Sequence, residues 1–107
     1  MSDCLFCKIA AGQIPSTKVY EDDEFVAFHD IHPKADVHLL IIPRAHVASL
    51  ADCGPEHEAM LGRLLLLAPK LAREHGIGHG FQTHIHTGAA GGQLIFHLHL
   101  HVIGNRP

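Results

Sequence analysis

The chain has 107 residues, 47% hydrophobic and 18% charged, with a formal net charge of −3. This length fits one domain, residues 1–107, around one core, and the composition excludes a disordered or fibrous chain. The 8 Lys and Arg residues are scattered, which excludes a basic face for duplex nucleic acid, while 12 histidines carry the net charge positive as pH falls through the imidazole range.

Met1-Ser2-Asp3-Cys4 has no basic segment leading into an apolar run, so no signal peptide is expected. The longest aliphatic run, Leu64 to Ala68, is too short to cross a bilayer. The cysteine count is odd, and Cys4 and Cys7 stand at a spacing used for metal or redox chemistry; reduced thiols in the cytoplasm are the simplest fit. Cys4 to Ala11 is expected as a short helix, N-capped by Ser2 or Asp3 and stopped by Gly12. Lys18–Glu21 and Phe25–His29 read as a hairpin across a polar turn. Val37–Ile42 is a third strand ending at Pro43, with His38 as its one polar interruption. A helical turn is expected over Ala45–Leu50. Pro55 then opens a long helix, since a first-turn proline loses nothing by lacking an N–H. Met60, Leu61, Leu64, Leu65, Ala68, Leu71 and Ala72 supply its core stripe; Pro69 should kink it and Gly76 stops it.

Phe81–Thr87 is expected as a fourth strand, with Gln82, His84 and His86 on one face. A loop with three glycines, Gly88-Ala89-Ala90-Gly91-Gly92-Gln93, lets backbone approach a ligand closely. The fifth strand, His97–Ile103, alternates imidazoles with aliphatic residues, so His97, His99 and His101 share a face while Leu98, Leu100 and Val102 enter the core. Three imidazoles on one strand face suit metal capture or phosphate chemistry, where one ring attacks and its neighbours donate protons. The elements predict an α+β meander of five strands with one long and one short helix, helices on one face and ligand on the other.

With these segments in place, the chain resembles the histidine triad (HIT) superfamily, and within it the Hint branch of nucleoside phosphoramidases. The resemblance rests on Phe6-Cys7-Lys8-Ile9, Ile14-Pro15, Tyr20-Glu21-Asp22-Asp23, Ala27-Phe28-His29-Asp30-Ile31, His38-Leu39-Leu40-Ile41-Ile42-Pro43, Gly91-Gly92-Gln93 and the triad, in the family's order. It implies a five-stranded antiparallel sheet extended across a homodimer. It also implies attack at the α-phosphorus of a purine nucleotide or nucleoside phosphoramidate, adenine or guanine being left open. By that resemblance His99 is the nucleophile and is transiently nucleotidylated, His101 contacts the phosphoryl oxygens and protonates the leaving amine, and His38 orients the triad. A core histidine with its bonds satisfied is the alternative for His38. Gly92, Gln93 and the loop amides are expected at the phosphate and Asp30 at the ribose. Phe6, Ile9, Phe28, His29 and Ile31 form the purine pocket, or equally ordinary core.

In relatives with Cys-x-x-Cys near the N-terminus, that pair, a later histidine and the first triad histidine hold zinc; here those positions are Cys4, Cys7, His46 and His97. The set suits a closed structural zinc site, with no cofactor required for catalysis. Three departures bear on leaving group and rate: His86 where Hint relatives usually carry asparagine, Leu94 in place of a polar residue, and a chain that stops at Pro107. The competing readings are a dinucleoside polyphosphate hydrolase, a non-catalytic nucleotide-binding regulatory module, and a metal-storage protein. Neither nucleic acid nor membrane is an expected partner.

Overall fold

The computed structural model describes residues 3–107. Helix α1 (Leu5–Ala10) leads into β1 (Lys18–Glu21), β2 (Phe25–His29) and β3 (Val37–Pro43), then helix α2 (Glu58–Glu74), β4 (Gln82–His84) and β5 (Leu100–Gly104). The five strands form one antiparallel sheet in the order β1-β2-β3-β5-β4. The expected fold class stands: an α+β domain with one long and one short helix.

Strand periodicity decides which side chains meet. Phe25, Ala27, Leu39, Ile41, Leu100 and Val102 fall on one face and pack under Leu64, Leu67, Ala68, Leu71 and Ala72 of α2. Val26, Phe28, Leu40 and Ile42 fall on the other, where Phe6, Ile9 and Ala10 of α1 cover them. The helices therefore take both faces of the sheet, not one. α1 covers only part of its face, and the remainder is where ligand can reach the sheet.

Several local expectations shift. The N-cap of α1 is Cys4, whose Sγ accepts from the Cys7 N–H at 3.3 Å; Asp3 precedes it, and Ser2 lies outside the described residues. No helical turn forms at Ala45–Leu50; a single 3₁₀ turn follows at Leu50–Asp52. Pro55 opens a 3₁₀ turn, Pro55–His57, from which α2 continues and runs through Pro69 to Glu74. Leu67 is buried in the stripe and Leu65 is half exposed, because the core lies one position further round than the apolar count suggested. Gly76 does close the helix, with φ +84°. The fourth strand is limited to Gln82–His84, and the fifth ladder starts at Leu100 because the Leu98 N–H bonds the Val47 carbonyl at 2.7 Å. Arg44, just past β3, donates to the Ala10 and Asp22 carbonyls, each at 2.7 Å, tying the end of α1 to the β1–β2 turn. No helix among the described residues is long and apolar enough to cross a membrane.

Candidate active site

The alternation read from sequence survives although His97 and His99 precede the ladder. Leu98, Leu100 and Val102 are fully buried in the α2 core, and the His99 and His101 rings lie together on the opposite side, centroids 5.0 Å apart. The cross-strand partner of His101 is Leu40, so His101 shares its face with His38, two residues before Leu40 on β3.

Hydrogen bonds fix the tautomer of each ring. A carbonyl only accepts, so His99 Nδ1, 2.7 Å from the His97 carbonyl, carries the proton and donates it. The neutral ring then keeps its lone pair on Nε2. The Lys34 backbone N–H donates to His38 Nδ1 at 3.1 Å, which places the His38 proton on Nε2. That N–H donates to His101 Nδ1 at 2.9 Å, leaving His101 with its proton on Nε2. One backbone amide thus sets two rings in series. The same relay argues against a metal among Asp30, His38 and His101, whose polar atoms cluster: His38 has no free lone pair for an ion.

Burial holds these rings neutral. It is the largest cause lowering His99, His38 and His101. His101 falls to about 4, since His99, His38 and His86 add to burial and outweigh Asp30. At neutral pH the pair therefore presents a lone pair on one ring and an N–H on the next.

A cleft of about 920 Å³ runs beside them, within the range of small-ligand sites. Phe6, Ile9, Phe28, Asp30, Ile31, His86, Gly92, His99 and His101 all border it, together with His29, whose ring faces His75 at 5.8 Å. Phe6, Ile9 and Phe28 belong to the α1 core as well, so core wall and cleft wall are the same residues. The Phe6 ring meets His99 edge-on at 5.1 Å. Asp30 accepts the His32 N–H at 2.8 Å with one oxygen and stands 3.3 Å from His38 Nε2 with the other.

Gln93 departs from its expected place at the phosphate. Its Oε1 accepts the Gly88 N–H at 2.9 Å, and its Nε2 donates to the Ala48 and Ile95 carbonyls at 2.7 and 3.0 Å. The side chain is buried and holds the glycine loop in shape. Gly88 (φ +75°) and Gly92 (φ +91°) supply the positive-φ backbone that this turn requires. The Gly91, Gly92 and Gln93 amides bond within the loop; the Leu94 amide makes no backbone bond among the described residues, and its side chain is 89% exposed on the cleft rim. Sequence reasoning missed Ser16, Thr17 and Lys34, which also border the cleft. No motif flags them, because loop packing alone brings them there.

Cys4, Cys7, His46 and His97 come together as expected. Their polar atoms stand 3.3 Å (Cys4–His97), 3.3 Å (Cys7–His46), 3.5 Å (Cys7–His97) and 3.3 Å (His46–His97) apart. Zinc–sulfur and zinc–nitrogen bonds of about 2.3 and 2.0 Å give a tetrahedron with edges of about 3.3–3.8 Å, so the set fits a tetrahedral ion. His97 Nε2 donates to the Pro43 carbonyl at 2.7 Å, which leaves Nδ1 as the ligand atom. Burial, then neighbouring Cys4, raises the Cys7 thiol.

Comparison with known proteins bears on this geometry. Residues 3–106 match the family model described as scavenger mRNA decapping enzyme C-term binding. Protein HitA of Neisseria gonorrhoeae is 52% identical over 97% of both chains. The purine nucleoside phosphoramidase of Escherichia coli K12 is 42% identical over 98% of this chain and 89% of its own. A HIT family hydrolase of Legionella pneumophila Philadelphia 1 superposes with a TM-score of 0.95 at 43% identity, covering 98% of this chain and 95% of its own. A Zn-bound histidine triad family protein of Mycobacterium smegmatis gives 0.83 at 36% identity, covering 98% and 76%.

Proposed function

Because the chain belongs to the histidine triad (HIT) family, we propose that it is a purine nucleoside phosphoramidase, a hydrolase acting at the α-phosphorus through a nucleotidylated histidine. The observation that carries this reading is the paired tautomer, a bare Nε2 on His99 beside a protonated Nε2 on His101, on the wall of one nucleoside-sized cleft.

In the first step His99 Nε2 forms a bond to phosphorus while the bond from phosphorus to the amine nitrogen breaks. The leaving amine takes its proton from a water molecule, while the neutral His101 ring keeps its Nε2 proton and donates it as a hydrogen bond to a phosphoryl oxygen. The hydroxide left by that water then attacks phosphorus, the His99–phosphorus bond breaks, and nucleoside monophosphate leaves. His38 is the positioning residue that keeps the His101 tautomer. The Leu94 amide and the Gly92 loop receive the phosphoryl oxygens, Asp30 the ribose hydroxyls, and Phe6, Ile9, Phe28, His29 and Ile31 the base. His86 borders the phosphate side. Cys4, Cys7, His46 and His97 would hold zinc as a structural ion that would fix the backbone at His97, outside the reaction itself.

We further read the chain as a homodimer, supported by the exposed Leu65 and Leu66 on α2 and by β4 standing open at the sheet edge. Sedimentation should give twice the chain mass, and a monomer at micromolar concentration refutes it. Adenosine 5′-phosphoramidate should release ammonia and AMP, and His99→Ala should lower turnover by about 10³-fold or more, as expected for loss of a nucleophile. AMP binding in that variant should persist. Wild-type turnover in His99→Ala would falsify the assignment, and AMP binding without any turnover in the native protein would make it a regulatory nucleotide-binding module.

A further inference from the structure

On the far side of the His86–His101 pair from the nucleoside cleft lies a second cleft, of about 670 Å³. His86, His101 and Lys34 border both. Its polar wall is Lys34, His38, Gln82, His84, His86, His101 and Asn105, and among the described residues no Asp or Glu lines it. The amide oxygens on that wall are already engaged. Gln82 Oε1 takes the His84 Nε2 proton at 2.9 Å, and Asn105 Oδ1 takes the Asp36 backbone N–H at 2.9 Å. Both amides are left offering NH₂ groups. The Asp36 carboxylate is occupied by the Arg106 N–H at 3.1 Å. His101 adds its Nε2 proton through the relay from His38. The wall is therefore rich in donors and carries one full positive charge at Lys34, and the nearest carboxylate, Asp30, stands behind His38 and does not line it.

We propose that this cleft is the leaving-group subsite and that it selects amines carrying an anionic oxygen group. The inference rests on the phosphoramidase reading and names its substrate class: nucleoside phosphoramidates whose amine bears a carboxylate or a phosphoryl group. When the P–N bond breaks, the amine nitrogen takes a proton from water while its anionic end stays beside Lys34 and the two amides. Charge-assisted bonds of this kind are about twice as strong as neutral ones.

The test uses adenosine 5′-phosphoramidates of glycine, of glycinamide and of aminomethylphosphonate, with the unsubstituted phosphoramidate as reference. Glycine and glycinamide are close in size and differ in charge. The wild-type protein should favour the glycine conjugate over the glycinamide conjugate in kcat/KM by about tenfold or more at low salt, and the ratio should shrink as salt screens Lys34. Lys34→Gln should cut that ratio to about threefold or less; comparing ratios between proteins cancels the difference in amine basicity. A phosphonate conjugate above the glycine conjugate points to phosphoryl-bearing amines, and the reverse order to amino acids. An equal ratio in wild type and Lys34→Gln overturns the subsite while the reaction stands. No hydrolysis of any conjugate, the reference included, overturns both.

Discussion

Ser16 Oγ is buried in the wall of the proposed nucleoside cleft with no hydrogen-bond partner among the described residues. Burying an unpaired hydroxyl costs about 1–3 kcal/mol, and a cost of that kind is retained where a ligand supplies the partner. Ser16→Ala should then move two properties in opposite directions. The unliganded protein should melt a few degrees higher, since about 1 kcal/mol corresponds to roughly 4–8 °C for a domain near this size. Nucleotide affinity by titration calorimetry should fall about three- to tenfold, the worth of one net hydrogen bond. An unchanged affinity would mean that the hydroxyl touches no part of the ligand. Such a residue has no signature in sequence, because an orphaned hydroxyl is a property of its neighbours. His38 is the contrasting case. An imidazole inside Val37–Pro43, otherwise apolar, announces a special role, and the Lys34 amide and His101 supply it. Gln93 lies between these: its place in the glycine motif was legible, but the three bonds that commit its side chain to the loop were not.

At the scale of elements, period-2 patterning carried the sheet, since burial of one strand face is a local property of the sequence. Where the ladder begins was not legible. The Leu98 amide pairs with Val47, far away in sequence, and no local pattern encodes that pairing. The seat of α1 was hidden for the same reason. A helix of six residues is too short to persist alone in water. It is held by Phe6, Ile9 and Ala10 against β2 and β3, by Arg44 at its end, and by Cys4 and Cys7 at its start. The proposed zinc clips this start to the segments carrying His46 and His97. Protein purified without a nickel column should carry about one zinc per chain, and below about a tenth of an equivalent the clip is refuted. Stripping the metal with a chelator should lower the melting temperature by about 5 °C or more, because a ligand that binds only the folded state adds to its stability. A Cys4→Ala, Cys7→Ala variant should be insensitive to chelator. Phe6 sits against His99, so the stripped protein should also bind AMP more weakly.

Taken whole, the molecule packs His38, His99 and His101 together, and the burial of its imidazoles sets its response to acid. Burial lowers His29, His38 and His101, with His101 at about 4. For a base whose folded value is depressed, the unfolded chain binds the proton first. The stabilisation is complete above the unfolded value of about 6.5 and is lost as pH falls toward the folded value. For His101 the window runs from about 6.5 down to about 4. The corresponding energy is at most roughly 3 kcal/mol, and solvent at this half-buried ring reduces it. Carboxylates protonate only near pH 4, so loss of stability between pH 6.5 and 4.5 belongs to the imidazoles. Urea midpoints measured across this range should fall steadily with pH. His101→Asn, which keeps a polar side chain but cannot take the proton, should flatten part of that slope. A midpoint that holds constant from pH 7 to 4.5 would mean that the rings protonate freely in the folded state. The lone-pair assignment at His99 would then hold only above about pH 6.5, and phosphoryl transfer by this site would fall away as pH drops through that value instead of persisting toward about pH 5.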